Sequence, residues 1–248
     1  MKKFLKKVLL FTCLVAVIDI VAGKVGDTLQ ANAKGGITKR INDLAMVDKH
    51  DVVILGSSRA RHHYDSPFLS DTLGLDVYNA GVDGNGVILA EGLLELILER
   101  YHPKLVLLDV EPVFDIYVYK PDNNHVRYIG NLKPYYNHKA IGNIIRDISW
   151  QEWYKVHSGM VRYNSSLISM FIDNIKENGF DNCGYAPLCG KFDRIVEYRK
   201  TESVIDQLKL AYVEKIITLA KKNNIPFAVV ASPKLGVETS ESLVIVKK

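Results

Sequence analysis

Asp51-Val-Val-Ile-Leu-Gly-Ser-Ser-Arg-Ala-Arg-His-His63 reads as a strand, a tight turn and the start of a helix. Val52 to Leu55 form the apolar strand. Gly56 permits the sharp turn that follows it. The serines then fall near a helix N-terminus, where backbone N–H groups have no intrahelical partner and the dipole is positive. A serine placed there can serve as a nucleophile whose oxyanion is held by the surrounding N–H groups. The same residues also read as a strand-end turn with a helix cap.

On either side of this stretch, strands and helices alternate. A helix covers part of Ser58 to Leu73, interrupted near Pro67, and Asp76 to Asn79 form a second strand. Leu89, Leu93, Leu96 and Ile97 give a helical stripe over Val87 to Arg100, which Pro103 ends. Leu105 to Val110, almost wholly apolar, suit a strand buried on both faces. The segment 111–200 is rich in Tyr and Asn, with helical stretches at 140–149 and 167–178, and reads as a cap or insertion. Ile205, Leu208, Tyr212, Ile216 and Leu219 mark the buried face of a long helix, Ser203 to Asn223. A fourth strand, Pro226 to Ala231, runs into Ser232-Pro233. This alternation implies an α/β fold with a mostly parallel sheet and ligands at the carboxyl ends of its strands. Gly56-Ser57-Ser58, Asn79 to Gly84, Asp109 to Glu111 and Ser232-Pro233 all fall at such ends.

The chain has 248 residues, 48% hydrophobic and 24% charged, enough for one full core. Its net charge of +4 is concentrated in Lys2, Lys3, Lys6 and Lys7, and the remainder is nearly neutral. No basic stripe argues for nucleic acid. The four lysines precede an apolar run, Val8 to Ile18, extended past Asp19 by Ile20 to Ala22. Residues 1–23 therefore read as a signal anchor or signal peptide, with an amphipathic or buried helix as the third reading. The lysines would stay cytoplasmic, giving a single-pass protein whose domain is extracytoplasmic, or a secreted one if the segment is cleaved. The run is short for a full span, and Asp19 is expected near the outer interface. Residues 24–49 read as a partly helical linker, and 50–248 as the globular domain. Cys183 and Cys189 could pair in an exported protein, or remain two thiols. No Cys/His spacing suggests zinc, and no metal or cofactor is expected.

With these residues in place, the chain resembles the SGNH (GDSL-like) hydrolase superfamily. Its Gly-Asp-Ser block corresponds here to Gly56-Ser57-Ser58, which makes Ser58 the nucleophile. The Gly-Ser-Ser form looks like that of extracytoplasmic acyl-transfer proteins acting in D-alanylation of teichoic acids and acetylation of alginate. The second block, roughly Asn-x-Gly-x-x-Gly, matches Asn79-Ala-Gly81-Val-Asp-Gly84, followed by Asn85. The resemblance implies an oxyanion hole built from the N–H groups of Ser58 and Gly84. It also implies a flavodoxin-like three-layer sandwich. The likeness covers residues 50 to 112, and 203 to 234 match in architecture alone.

Two blocks depart from the family pattern. Asp109-Val-Glu111-Pro112 stands where a third oxyanion donor, an asparagine, would be. No Asp-x-x-His follows Ser232, and no histidine occurs after His157. The last strand-helix unit is expected to be missing, since Leu235 to Lys248 offer only Leu243 to Val246 as an apolar run. His62 is a substitute base on the Ser58 side of its helix, His63 a weaker one, and a plain surface histidine is the bland reading of each. Arg59, Asn85, His62 and Glu111 are the candidate substrate-binding residues, with Arg59 and Glu111, like Asp115, equally readable as ion pairs or loop caps. Tyr117, Tyr119, Tyr128, Tyr135 and Tyr136 could stack on sugars or fill a cap. The resulting expectation is ester hydrolysis or O-acyl transfer on a cell-envelope carbohydrate, inactive if the base is absent. The alternative is a non-catalytic carbohydrate-binding or scaffold protein held at the membrane by its N-terminal segment. The oligomeric state is not encoded in any motif.

Overall fold

The structure, a computed structural model, describes residues 1–118, 125–164, 166–176, 182–190 and 204–232. Helices α1 (Lys2–Ala31) and α2 (Gly36–Asn42) come first. Then β1 (Val52–Leu55), α3 (Ser58–His63), α4 (Ser66–Leu73), β2 (Val77–Asn79), α5 (Val87–Leu98) and β3 (Leu105–Asp109) alternate. A wide helical turn, Pro112–Ile116, leads into the short β4 (Tyr117–Val118). Four helices follow: α6 (Lys139–Ile148), α7 (Trp150–Lys155), α8 (Gly159–Tyr163) and α9 (Leu167–Ile175). The last elements are β5 (Val204–Ile205), α10 (Gln207–Lys222) and β6 (Phe227–Val230). The chain divides into two compact units, Met1–Asp43 with Ile129–Gly179, and Leu44–Tyr128 with Phe180–Lys248.

The second unit is α/β. Its main sheet is open and all parallel, in the order β2-β1-β3-β6, with Ile54 beside Asn79, Leu55 beside Leu108 and Asp109 beside Val230. β4 and β5 form a separate antiparallel pair. Val52, Ile54 and Val77 pack with Ala60 of α3, and Tyr64, Leu69, Leu105 and Leu107 close over them. Side chains alternate along a strand, so Val53, Leu55, Val106 and Leu108 point to the other face, where all four are buried. The expected break near Pro67 falls at Tyr64–Asp65: Asp65 caps α4 by accepting from the Phe68 N–H at 3.1 Å, and Pro67 occupies the first turn. In α10 the buried face is Lys209, Tyr212, Val213, Ile216 and Ala220, rotated from the expected Leu208 and Leu219. Lys209 is tolerated there because its ammonium donates to the Phe114 carbonyl at 2.6 Å and lies over the Phe114 and Tyr128 rings. The segments 233–248 and Tyr119 lie outside the described residues.

The first unit is helical. α1 is the one described helix long and apolar enough to cross a membrane. Where the sequence suggests a linker from residue 24, α1 continues without a break to Ala31 and packs on α8 and α9. The reason lies in its small residues. Gly23 lies against Gly159, and Gly26 lies on the ring of Tyr163. Asp27 accepts from Arg162 at 3.0 Å and from the Tyr163 hydroxyl at 2.6 Å. Asp19 accepts from the Ser158 hydroxyl at 2.6 Å and from the N–H groups of Gly159 and Met160 at 3.2 and 2.9 Å. It therefore caps the start of α8 rather than standing alone in an apolar run.

A Cβ at position 26 would lie 2.1 to 2.5 Å from the Tyr163 ring, which is fully buried and tethered through its hydroxyl. Gly26→Ala should destabilise this unit by about 1–3 kcal/mol. Both tryptophans, Trp150 and Trp153, lie in α7 of the same unit. Thermal unfolding of the detergent-solubilised chain followed by tryptophan fluorescence should thus show a lowered midpoint.

Candidate functional site

Gly56 ends β1 with φ +153°, and α3 starts two residues later. Ser57 is buried in an extended conformation as the N-cap and makes no side-chain cap bond. Ser58 is half-buried and occupies the first helical position, with its N–H among those the helix leaves unpaired. α3 comes very close to the strand ends: a Cβ on Gly56 would lie 2.8 Å from Ala60 Cβ and 2.9 Å from the Asp109 carbonyl oxygen. A Cβ on Gly81 would lie 2.5 Å from the Arg61 nitrogen and 2.9 Å from the Ser57 carbonyl oxygen. Only glycine fits at either place.

The loop after β2 runs beside this turn because β1 and β2 are parallel neighbours. Ala80 N–H donates to Ile54 at 2.8 Å and Val82 N–H to Gly56 at 3.1 Å. Asn79, fully buried, donates to the carbonyls of Ala60 and Tyr64 and accepts from the Gly81 N–H. It thus fastens α3 to β2. Gly84 sits in the left-handed region (φ +69°) with open space where a side chain would point. Asn85 closes the turn, its amide donating to the Asp83 carbonyl. Asp83, which the sequence reading passed over, connects the Gly84 turn to α3: its carboxylate pairs with Arg61 at 2.6 Å and His62 at 3.2 Å.

His62 is engaged at both ring nitrogens, Nδ1 on the Ala186 carbonyl and Nε2 on Asp83. Both nitrogens thus face oxygen atoms. His63 is on the exposed side of α3, and partial burial of its ring, followed by the Arg59 charge, holds its imidazole below the ordinary value.

Arg59 turns the other way, toward β3 and β6. Its guanidinium pairs with Glu111 and donates to the hydroxyl and carbonyl of Ser232. Two candidate binding residues, Arg59 and Glu111, are therefore partners of each other. Beside them, Asp109 is fully buried and accepts from the Tyr64 hydroxyl at 2.9 Å and the Ser232 N–H at 2.8 Å through Oδ1. Its Oδ2 has no hydrogen-bond partner among the described residues. Burial, and then the Asp109 charge, raise the Tyr64 phenol. Tyr64 carried no sequence signal beyond its place after the helix. Asp115 accepts from the N–H groups of Glu111 and Val87, and full burial pushes its carboxyl up to about 7.

The described tyrosines of this set fall in both units. Tyr128 is buried in the α/β unit. In the helical unit, Tyr135 is buried with its hydroxyl against Gln30 and Asn42, and Tyr136 lies under Arg162. Cys183 and Cys189 are exposed and form no disulfide. Among the described residues, no three His, Cys, Asp or Glu side chains converge as metal ligands would. Compared with protein-family models, curated proteins and solved structures, the chain matches none.

Removing Glu111 would strand the largely buried Arg59 guanidinium, so Glu111→Ala should cost about 3 kcal/mol in stability, read by chemical denaturation. Asp115 gives a pH dependence. Its folded value of about 7 exceeds the ordinary 3.8. Between the two, the folded state keeps a proton that the unfolded chain has lost, so stability falls as pH rises from about 4 to about 7, then levels. Asp115→Asn should flatten that decline when denaturation at pH 5 and pH 8 is compared with wild type.

Proposed function

We propose that this chain is a membrane-anchored, SGNH-like serine protein. Its expected chemistry is ester hydrolysis or O-acyl transfer on a cell-envelope carbohydrate. The observation that carries the reading is the seating of Ser58: half-buried, first in its helix just after β1, with the Gly84 turn tied to the same helix through Asp83. The strand order β2-β1-β3-β6 agrees with the start of a flavodoxin-like, three-layer order. α1, with lysines at one end, would anchor the chain and leave the folded part extracytoplasmic.

In this reading the Ser58 hydroxyl attacks an acyl carbonyl, and the N–H groups of Ser58 and Gly84 hold the oxyanion. The carbonyl re-forms as the alcohol leaves, giving an acyl-serine, which an acceptor hydroxyl or water then resolves. The serine proton needs a base. His62 lies one turn along α3 and can accept it only after giving up the Ala186 carbonyl or Asp83. Otherwise the base is supplied from outside the residues described. The engagement of His62, with the mutual pairing of Arg59 and Glu111, favours the second reading, a carbohydrate-binding or scaffold protein without catalysis.

A fluorophosphonate probe on the full chain in membranes separates the two. The catalytic reading expects labelling that Ser58→Ala abolishes and Ser57→Ala retains. It also expects His62→Asn to slow p-nitrophenyl acetate hydrolysis by about 100-fold or more if His62 is the base. A wild-type chain that is not labelled, and hydrolyses the ester no faster than Ser58→Ala, would establish the non-catalytic reading instead.

A further inference from the structure

The apolar run of α1 contains one acidic residue, Asp19, and α8 supplies all three of its described hydrogen bonds. That fixes where α8 stands along α1. If Lys7 marks one membrane interface, a rise of about 1.5 Å per residue puts Asp19 about 18 Å along the helix and Asp27 about 30 Å. The hydrocarbon core is itself about 30 Å thick. α8 starts at Asp19 and ends at Asp27, where Arg162 and Tyr163 are bonded. It therefore runs beside the half of α1 that lies in the leaflet away from the lysines. The two helices meet through Gly23 and Gly159, the close backbone approach that membrane helices use.

Large apolar side chains are exposed on both α8 and α9. Met160 and Val161 are exposed at the level of Asp19. α9 turns Met170, Asp173 and Asn174 inward, Asp173 to Lys34 and Thr38, and Asn174 to the Leu29 carbonyl. Outward it presents Ile168, Phe171, Ile172 and Ile175, at i, i+3, i+4 and i+7. Ile168 is 79% exposed and Ile175 66%. A helix in water carries polar residues on its free face. A helix lying in a membrane interface carries an apolar stripe such as this one.

We propose that α8 and the apolar stripe of α9 form a second membrane contact. They sit among the acyl chains and headgroups of the leaflet opposite the lysines, beside the spanning α1. The occupant is lipid because Asp19 holds α8 about 18 Å along α1, inside the hydrocarbon, while Asn174 bonds α9 to α1 at Leu29, about 33 Å along, which is the far interface. In consequence, Asp19 can lie inside the membrane, capped by a helix that accompanies it. The inference rests on reading α1 as a spanning helix.

The test uses the full chain in phosphatidylcholine vesicles, with Cys183→Ser and Cys189→Ser. An NBD fluorophore is attached to native Cys13 or, with Cys13→Ser, to Ile168→Cys, Phe171→Cys or Asn143→Cys. Asn143 is exposed on the polar side of α6 in the same unit. Quenching by doxyl-labelled phosphatidylcholine is then read. The expected result is quenching of about twofold or more at positions 13, 168 and 171 and little at 143. Quenching at 13 but not at 168 or 171 would overturn the second contact and leave the spanning helix intact, as when another copy of the chain covers the stripe. Equal quenching at 143 would overturn the assignment of a specific face. No quenching at 13 would overturn the spanning reading, and the inference with it.

Discussion

The α/β unit depends on how closely the first helix after β1 can approach the strand ends. α3 is only six residues long, too short to hold itself together in water. It is held because Ala60 and the backbone of Arg61 press onto Gly56 and Gly81, and because Asn79 bonds its last carbonyls. Everything that gives Ser58 its position follows from that contact. The Gly84 turn is tied to the same helix through Asp83, and the far strand ends through Arg59. Three strands that are distant in sequence thus converge on one short helix.

In the helical unit a comparable role falls to side-chain carboxylates on α1. Asp19 and Asp27 bracket α8, one at its beginning and one at its end. α8 has five residues, and its first N–H groups are met by Asp19 of another helix and by the Ser158 hydroxyl. Polar groups thereby fix the position of a helix pair whose contact surface is otherwise made of glycine and aromatic ring.

Much of the α/β core could be read directly. Val52–Leu55 and Leu105–Asp109 are apolar runs bounded by turn residues, and they form strands within one residue of the expected limits. α7 and α8 could not be read this way, because six and five residues carry no measurable period. Their only signals are Ser149 and Ser158, which cap them. Asp19 looks costly in sequence because its partners lie about 140 residues away. Lys209 looks like a surface residue until Phe114 and Tyr128 surround its ammonium. At the site, the turn and the serine are local and legible. The pairing of Arg59 with Glu111, 52 residues on, is a product of strand order and had no local sign.

The glycines around Ser58 differ in what holds them. Gly56 and Gly81 are locked by neighbouring atoms, so the floor of the site admits almost no change. Gly84 is constrained by its backbone angle alone, with nothing within 4 Å of a Cβ placed there. Asparagine adopts that left-handed conformation readily. The rim of the site can therefore drift and acquire new side chains over evolutionary time, while the seat of the serine stays fixed.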